Sequence, residues 1–233
     1  METLQLKVCG MREGENIRQV ENGLLAACAS GQGVAVSLWM GFIFFRKSPR
    51  FLEKSPAYLP EKMQRIGVFV DAGKEEIADR VLHYRLDAVQ LHGHESPGFC
   101  REIRHYLQEQ TGMRPQVFKA FSLASAGDLQ NTADYEGCCE RFVFDAKCVG
   151  YGGSGKQFDW SILEAYRGTT PFLLSGGIGM HCLSELKQFS HPQLAGYDLN
   201  SRFETAPGLK DPLRLERFVR ELLHGRYEKR INQ

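Results

Sequence analysis

Two residues at the ends of short apolar runs have side chains suited to moving protons: Cys9, closing Leu4–Cys9, and Asp145, closing Phe142–Asp145. A thiol can act as a base or a nucleophile once ionised, and a carboxyl can donate a proton where its pKa is raised. Cys9 follows Lys7 and Val8, and positive charge from Lys7 would favour a thiolate. Taken alone, a cysteine in a strand is more often a small buried hydrophobe. Asp145 leads into a loop with glycines at 150, 152, 153 and 155. Backbone N–H groups there, at Gly153 and Gly155 in particular, could approach an anion closely. A loop-capping Asp followed by a flexible linker fits the same pattern, because glycine-rich loops are weakly specific.

These residues need elements to hold them. Eight apolar runs read as strands: Leu4–Cys9, Trp39–Phe44, Arg65–Val70, Ala88–His92, Gln116–Phe121, Phe142–Asp145, Phe172–Ser175 and Gly196–Leu199. Amphipathic helices are expected over Lys74–Tyr84, Pro97–Gln110, Ser161–Arg167 and Pro212–Tyr227. Alternation of buried strand and helix predicts a parallel sheet, and eight repeats in 233 residues fit one α/β domain, a (β/α)8 TIM barrel. The small-residue passage from Gly23 to Ser37 reads as a helix end plus loop. Barrel chemistry belongs at the carboxyl ends of strands. Those ends carry Cys9, Arg50, Asp71, Gln90 with His92, Lys119 with Ser122, Asp145, Ser175-Gly176-Gly177, and Asp198 with Asn200, Ser201 and Arg202. The Ser175-Gly176-Gly177 turn and the segment after strand 8 stand where barrels commonly hold phosphate on backbone N–H groups.

Composition narrows the partners. A net charge of +1 gives no reason to expect nucleic acid or an acidic membrane, and no apolar run approaches a membrane span. The start METLQLKVCG has no basic-then-apolar leader, so a cytoplasmic protein is expected. Seven cysteines, an odd number without a CxxC pair or a histidine at zinc spacing, point to reduced thiols and to no metal site.

Together the motifs resemble the phosphoribosylanthranilate isomerases of tryptophan biosynthesis. The matching pieces are KVCGM at 7–11, GFIFFRKSPRFL at 41–52, IGVFV at 66–70, VQLHGHE at 89–95, FDAKCVGYGGSGKQFDW at 144–160, LLSGGI at 173–178 and DLNSRFETAPGLKD at 198–211. The resemblance implies an Amadori rearrangement of N-(5′-phosphoribosyl)anthranilate to 1-(o-carboxyphenylamino)-1-deoxyribulose 5-phosphate. Asp145 would be the general acid opening the ribose ring and Cys9 the general base at C2′. Arg50 would hold the anthranilate carboxylate, with Gly177 and the Asn200–Arg202 turn at the phosphate. Gln90, His92, Gly153, Gly155, Ser175, Gly176, Asp198 and Ser201 complete the expected substrate contacts. The iminium is its own electron sink, so no cofactor is implied. The one partner implied is a small phosphorylated substrate, with monomer and homodimer both open.

Three departures from the family pattern stand out, one of them the Gly23–Ser37 passage, which bears on packing more than catalysis. Met11-Arg12 replaces the common Ile-Thr, and Arg202 stands where the family commonly has Gly, exchanging backbone freedom for a cation. Two other readings remain. A histidine-pathway-type sugar isomerase would want acids at the ends of strands 1 and 5, where Cys9 and Lys119 or Ser122 stand. A non-catalytic barrel binding a phosphorylated ligand would not need both Cys9 and Asp145.

Overall fold

The computed structural model describes residues 3–30, 34–146 and 160–231. Strands β1 (Leu4–Cys9), β2 (Val36–Ile43), β3 (Gln64–Phe69), β4 (Ala88–Leu91), β5 (Gln116–Leu123), β6 (Arg141–Ala146), β7 (Phe172–Ser175) and β8 (Leu194–Leu199) pair in sequence order. The neighbouring pairs are parallel, and β8 closes back onto β1 through Lys7↔Asp198. The expected (β/α)8 barrel is therefore the fold.

The outer layer is less regular than strict alternation predicts. It holds α1 (Gly14–Ser30), α2 (Lys74–Tyr84), α3 (Pro97–Thr111), α4 (Leu183–Gln188) and α5 (Pro212–Ile231). Turns fill 44–63 between β2 and β3, and a 3-10 segment, Ala126–Tyr135, links β5 to β6. The expected helix at Ser161–Arg167 is a six-residue 3-10 segment, Trp160–Ala165. So short a connection can satisfy itself with i→i+3 bonds. The Gly23–Ser37 reading is corrected too, because α1 runs on to Ser30 and β2 begins at Val36. Leu24 and Ala27 continue the buried stripe of Ile17 and Val20, so the period that starts the helix also sustains it. A Cβ on Gly23 would come within 3.5 Å of Glu216, so the small residue there serves the contact with α5.

Side-chain alternation along each strand decides what faces the barrel interior. Trp39, Ile66, Ala88, Phe118, Val143 and Leu173 form a compact inner cluster. Two residues further along the same strands, the inner face carries Gly41, Val68, Gln90, Ala120, Asp145 and Ser175. Leu4, Leu6 and Val8 belong to the outer core, which turns Gln5, Lys7 and Cys9 inward. Hydrophobic packing in the lower barrel thus presents a layer of mixed small and polar side chains at the carboxyl-terminal mouth.

The same alternation turns Lys119 outward, away from the mouth where its strand-end position suggested a role. It is buried between barrel and outer layer, 3.1 Å from Glu95 and 2.8 Å from the Gly93 carbonyl. Glu95 in turn accepts from the backbone N–H groups of Asp71 and Gly93, tying together the loops after β3 and β4. Breaking such a pair strands a buried charge. Lys119→Met is expected to lower stability by about 3–5 kcal/mol in urea unfolding; a loss below ~1 kcal/mol would mean Glu95 finds another partner.

Candidate active site

Gly10, directly after Cys9, has φ +79, a conformation that favours glycine, and a Cβ there would sit 2.7 Å from Cδ of Arg50. The turn therefore both ends β1 and lets the Arg50 stem lie across it. Cys9 is 4% exposed and pairs in register with Gly41, whose own Cβ would stand 3.0 Å from the Cys9 sulfur. Room for the thiol depends on that missing side chain.

Below the thiol lies a buried ion pair: Lys7 Nζ donates to Asp198 Oδ2 at 2.8 Å. Burial pulls the Lys7 pKa down, but Asp198 and Cys9 hold it above the ordinary lysine value. Burial pushes the Cys9 thiol up; Lys7 and Lys210 pull it down without cancelling that rise. Asp198 is pushed up by burial despite Lys7, and its Oδ1 is buried without a hydrogen-bond partner. The LQLKVC alternation carried a signal for this arrangement, since it sets Lys7 on the same strand face as Cys9.

On the far side, three strands from β1 with β8 and β7 between, Asp145 stands at the inner end of β6. His92 Nε2 is 3.9 Å from its Oδ2. Burial, then the charge of Lys7, pushes the His92 pKa down to about 4, so the ring is neutral at pH 7. Gln90 Nε2 lies 2.9 Å from His92 Nδ1; with Gln90 donating there, the ring proton is on Nε2, toward Asp145. Gln90 Oε1 is a second buried acceptor without a partner.

Ser175 pairs in register with Asp145, and Gly176 and Gly177 follow at φ +91 and +66. Two successive left-handed residues form a turn that side chains would strain. Asn200, Ser201 and Arg202 follow β8, with Ser201–Phe203 a single 3-10 turn. Arg202 is exposed and lines a surface cleft with Gly179, His181, Asp211 and Arg214. Its Cβ would lie 3.0 Å from a Cβ on Gly179, which places this departure at the rim beside the β7 turn. Gly153 and Gly155 lie outside the described residues.

Two residues without an assigned role in the sequence stand beside Arg50. Glu204 and Lys210 belong to a hairpin, β9 (Glu204–Ala206) and β10 (Leu209–Lys210), which has too little periodicity to be read as strands. Arg50 grips Glu204 through Nε at 2.8 Å and Nη2 at 2.6 Å. Lys210 Nζ reaches Glu204 at 2.6 Å and Asn200 Oδ1 at 2.8 Å. Asn16 of α1 pins the hairpin by bonding both backbone groups of Lys210. Among the described residues no group of three or more His, Cys, Asp or Glu side chains could hold a metal ion.

Polar side chains from separate strands, gathered at the carboxyl-terminal mouth of a closed parallel barrel, define an enzyme of the (β/α)8 class. The family model described as N-(5′-phosphoribosyl)anthranilate (PRA) isomerase matches residues 23–221. The chain belongs to that family. A Phocaeicola vulgatus N-(5′-phosphoribosyl)anthranilate isomerase is 49% identical over 217 residues, covering 93% of this chain and 97% of the relative. One from Parabacteroides distasonis is 45% identical over 229 residues, covering 96% and 95%. The crystal structure of phosphoribosyl anthranilate isomerase from Thermotoga maritima superposes with a TM-score of 0.70 at 28% identity, covering 94% of this chain and 98% of that one. A complex of such an isomerase with reduced 1-(o-carboxyphenylamino)-1-deoxyribulose 5-phosphate scores 0.69 at 25% identity, with the same coverage.

Proposed function

We propose that this chain carries out the isomerisation for which its family is named, with Asp145 as general acid and Cys9 as general base. The observation that carries this reading is a buried thiol and a partly exposed carboxyl on inner strand ends of one mouth, three strands apart. The substrate is N-(5′-phosphoribosyl)anthranilate. Asp145 protonates the ring oxygen as the C1′–O bond breaks, and the anthranilate nitrogen lone pair forms the iminium. Cys9 then removes the C2′ proton, giving an enolamine that tautomerises to the ketone. Arg50 receives the anthranilate carboxylate. Gly176, Gly177, Asn200, Ser201 and Arg202 surround the phosphate, while Gln90, His92, Ser175 and Asp198 meet the rest of the substrate. Gln90 Oε1 and Asp198 Oδ1 suit ribose hydroxyl donors, since a buried acceptor gains most from a ligand that satisfies it.

The pathway is tryptophan biosynthesis, the compartment the cytoplasm, and no cofactor takes part. No helix among the described residues is long and apolar enough to cross a membrane. The working unit is a monomer or homodimer; one neighbour in the family is described as dimeric.

In each turnover Asp145 gives a proton to the ring oxygen and Cys9 takes a different one from C2′, and exchange with solvent restores the starting protonation. The reactive form has the carboxyl protonated and the thiol ionised, the same total proton count as the resting carboxylate and thiol. Between the two pKa values the reactive fraction is therefore constant. kcat/KM is expected to be flat across neutral pH and to fall on the alkaline side only above the ordinary thiol value of 9.0, because burial raises Cys9. A rate climbing tenfold per pH unit through neutrality would remove the protonated carboxyl from the mechanism. The assignment itself is tested by following loss of anthranilate-type fluorescence from freshly generated phosphoribosylanthranilate. Rapid enzyme-dependent decay is expected, and none would return the chain to a ligand-binding role.

A further inference from the structure

Arg50 is the cation expected to meet the substrate's carboxylate, yet the structure already gives it a carboxylate. Glu204 takes the Nε/Nη2 side of the guanidinium in a two-bond fork at 2.8 and 2.6 Å. Glu204 is also filled by other donors. Oε1 receives Lys210 Nζ at 2.6 Å and the Gly208 N–H at 3.0 Å as well as Arg50 Nε. Burial would raise this acid, but the Arg50 fork and Lys210 bring it down to about 2, so it stays ionised throughout the working range.

The charge count shows which way this cluster acts. Arg50 and Lys210 contribute two positive charges and Glu204 one negative charge, leaving one net positive charge beside Cys9. A guanidinium has five N–H groups, of which this fork uses two. The opposite Nη1/Nη2 edge retains the planar geometry for a second carboxylate. Arg50 is 21% exposed while Glu204 is 6% exposed, so the arginine borders the open mouth and the glutamate lies behind it. Lys210, itself fully buried, and the hairpin N–H fix Glu204 from the rear.

We propose that Glu204 is a positioning residue that holds the Arg50 guanidinium edge-on to the mouth and thereby sets selectivity for a substrate bearing an ortho carboxylate on its aromatic ring. The proposal rests on the isomerase reading. Held by Glu204, Arg50 gives up little rotamer freedom when substrate arrives, and its free edge meets the aromatic carboxylate. The alternative role for the same contact is competition, with Glu204 and the substrate carboxylate contending for one fork. The two roles predict opposite signs.

Glu204→Gln is the informative change, since it keeps the shape while weakening the charge-assisted fork. Two inert ligands are compared by calorimetry: reduced 1-(o-carboxyphenylamino)-1-deoxyribulose 5-phosphate and the same molecule without its carboxyl group. The variant is expected to lose about tenfold or more in affinity for the first and less than threefold for the second, with kcat on saturating phosphoribosylanthranilate kept within a few-fold. Arg50→Ala should show the same ligand pattern, and adding Glu204→Gln to it should cost little more, because positioning has nothing left to act on. Unchanged or tighter binding of the carboxylated ligand would overturn the proposal in favour of neutrality or competition. Equal loss for both ligands would reduce Glu204 to a structural role. If Glu204→Gln does not fold, Arg50→Lys supplies the test: charge without the fork should reproduce the selective loss, and wild-type affinity would overturn the proposal. Wild-type protein that fails to turn over phosphoribosylanthranilate would sink the isomerase reading instead, a separate result from any of these.

Discussion

Cys9→Ala is expected to lower kcat by about 10²–10⁴-fold, the range for loss of a general acid or base, with KM changed by no more than a few-fold. The substitution removes one buried sulfur from a site where Gly41 opposes it, and it leaves the Lys7–Asp198 pair intact. The fold should therefore persist, and thermal unfolding checks that it does. The pH profile gives a sharper readout than the rate alone. With no thiol to share the proton, only Asp145 must be protonated, so the residual kcat/KM should fall with rising pH where the wild type is flat. Cys9→Ser refines the point: a hydroxyl in the same place is far harder to ionise and should rescue little. A variant within tenfold of wild type would place the base elsewhere on the rim.

The alternation of apolar runs is enough to read the eight strands, because a fully buried parallel strand leaves a continuous hydrophobic mark in the chain. The outer layer was harder to read. The Gly23–Ser37 passage reads as a helix end plus loop because small residues signal both helix ends and close helix contact, and the chain alone does not separate them. The position of Lys119 at a strand end likewise says nothing about which face it occupies. Alternation against Phe118 and Ala120, both in the inner cluster, settles that face as outward. In the candidate site, Cys9 and Asp145 were visible through residue type and strand position. Glu204 and Lys210 were not, because their hairpin carries no period and their meaning lies in a contact with Arg50 across 154 residues of sequence. Long-range ion pairs of this kind have no local signature.

Asp145→Asn is expected to match the Cys9→Ala loss, about 10²–10⁴-fold in kcat with KM nearly unchanged, because the amide keeps the carboxyl's outline but cannot supply its proton. His92, 3.9 Å away, is not a substitute acid at pH 7: desolvation and the charge of Lys7 push its pKa down to about 4, so it is neutral there. The two variants should be mirror images in pH. Without the carboxyl the remaining requirement is an ionised Cys9, so residual kcat/KM should rise about tenfold per pH unit through neutrality, levelling only above the ordinary thiol value of 9.0. A falling profile for Cys9→Ala and a rising one for Asp145→Asn, beside a flat wild type, would assign the protonated group to Asp145 and the ionised group to Cys9. A flat profile in the Asn variant would assign the acid to another group while leaving Cys9 as the base.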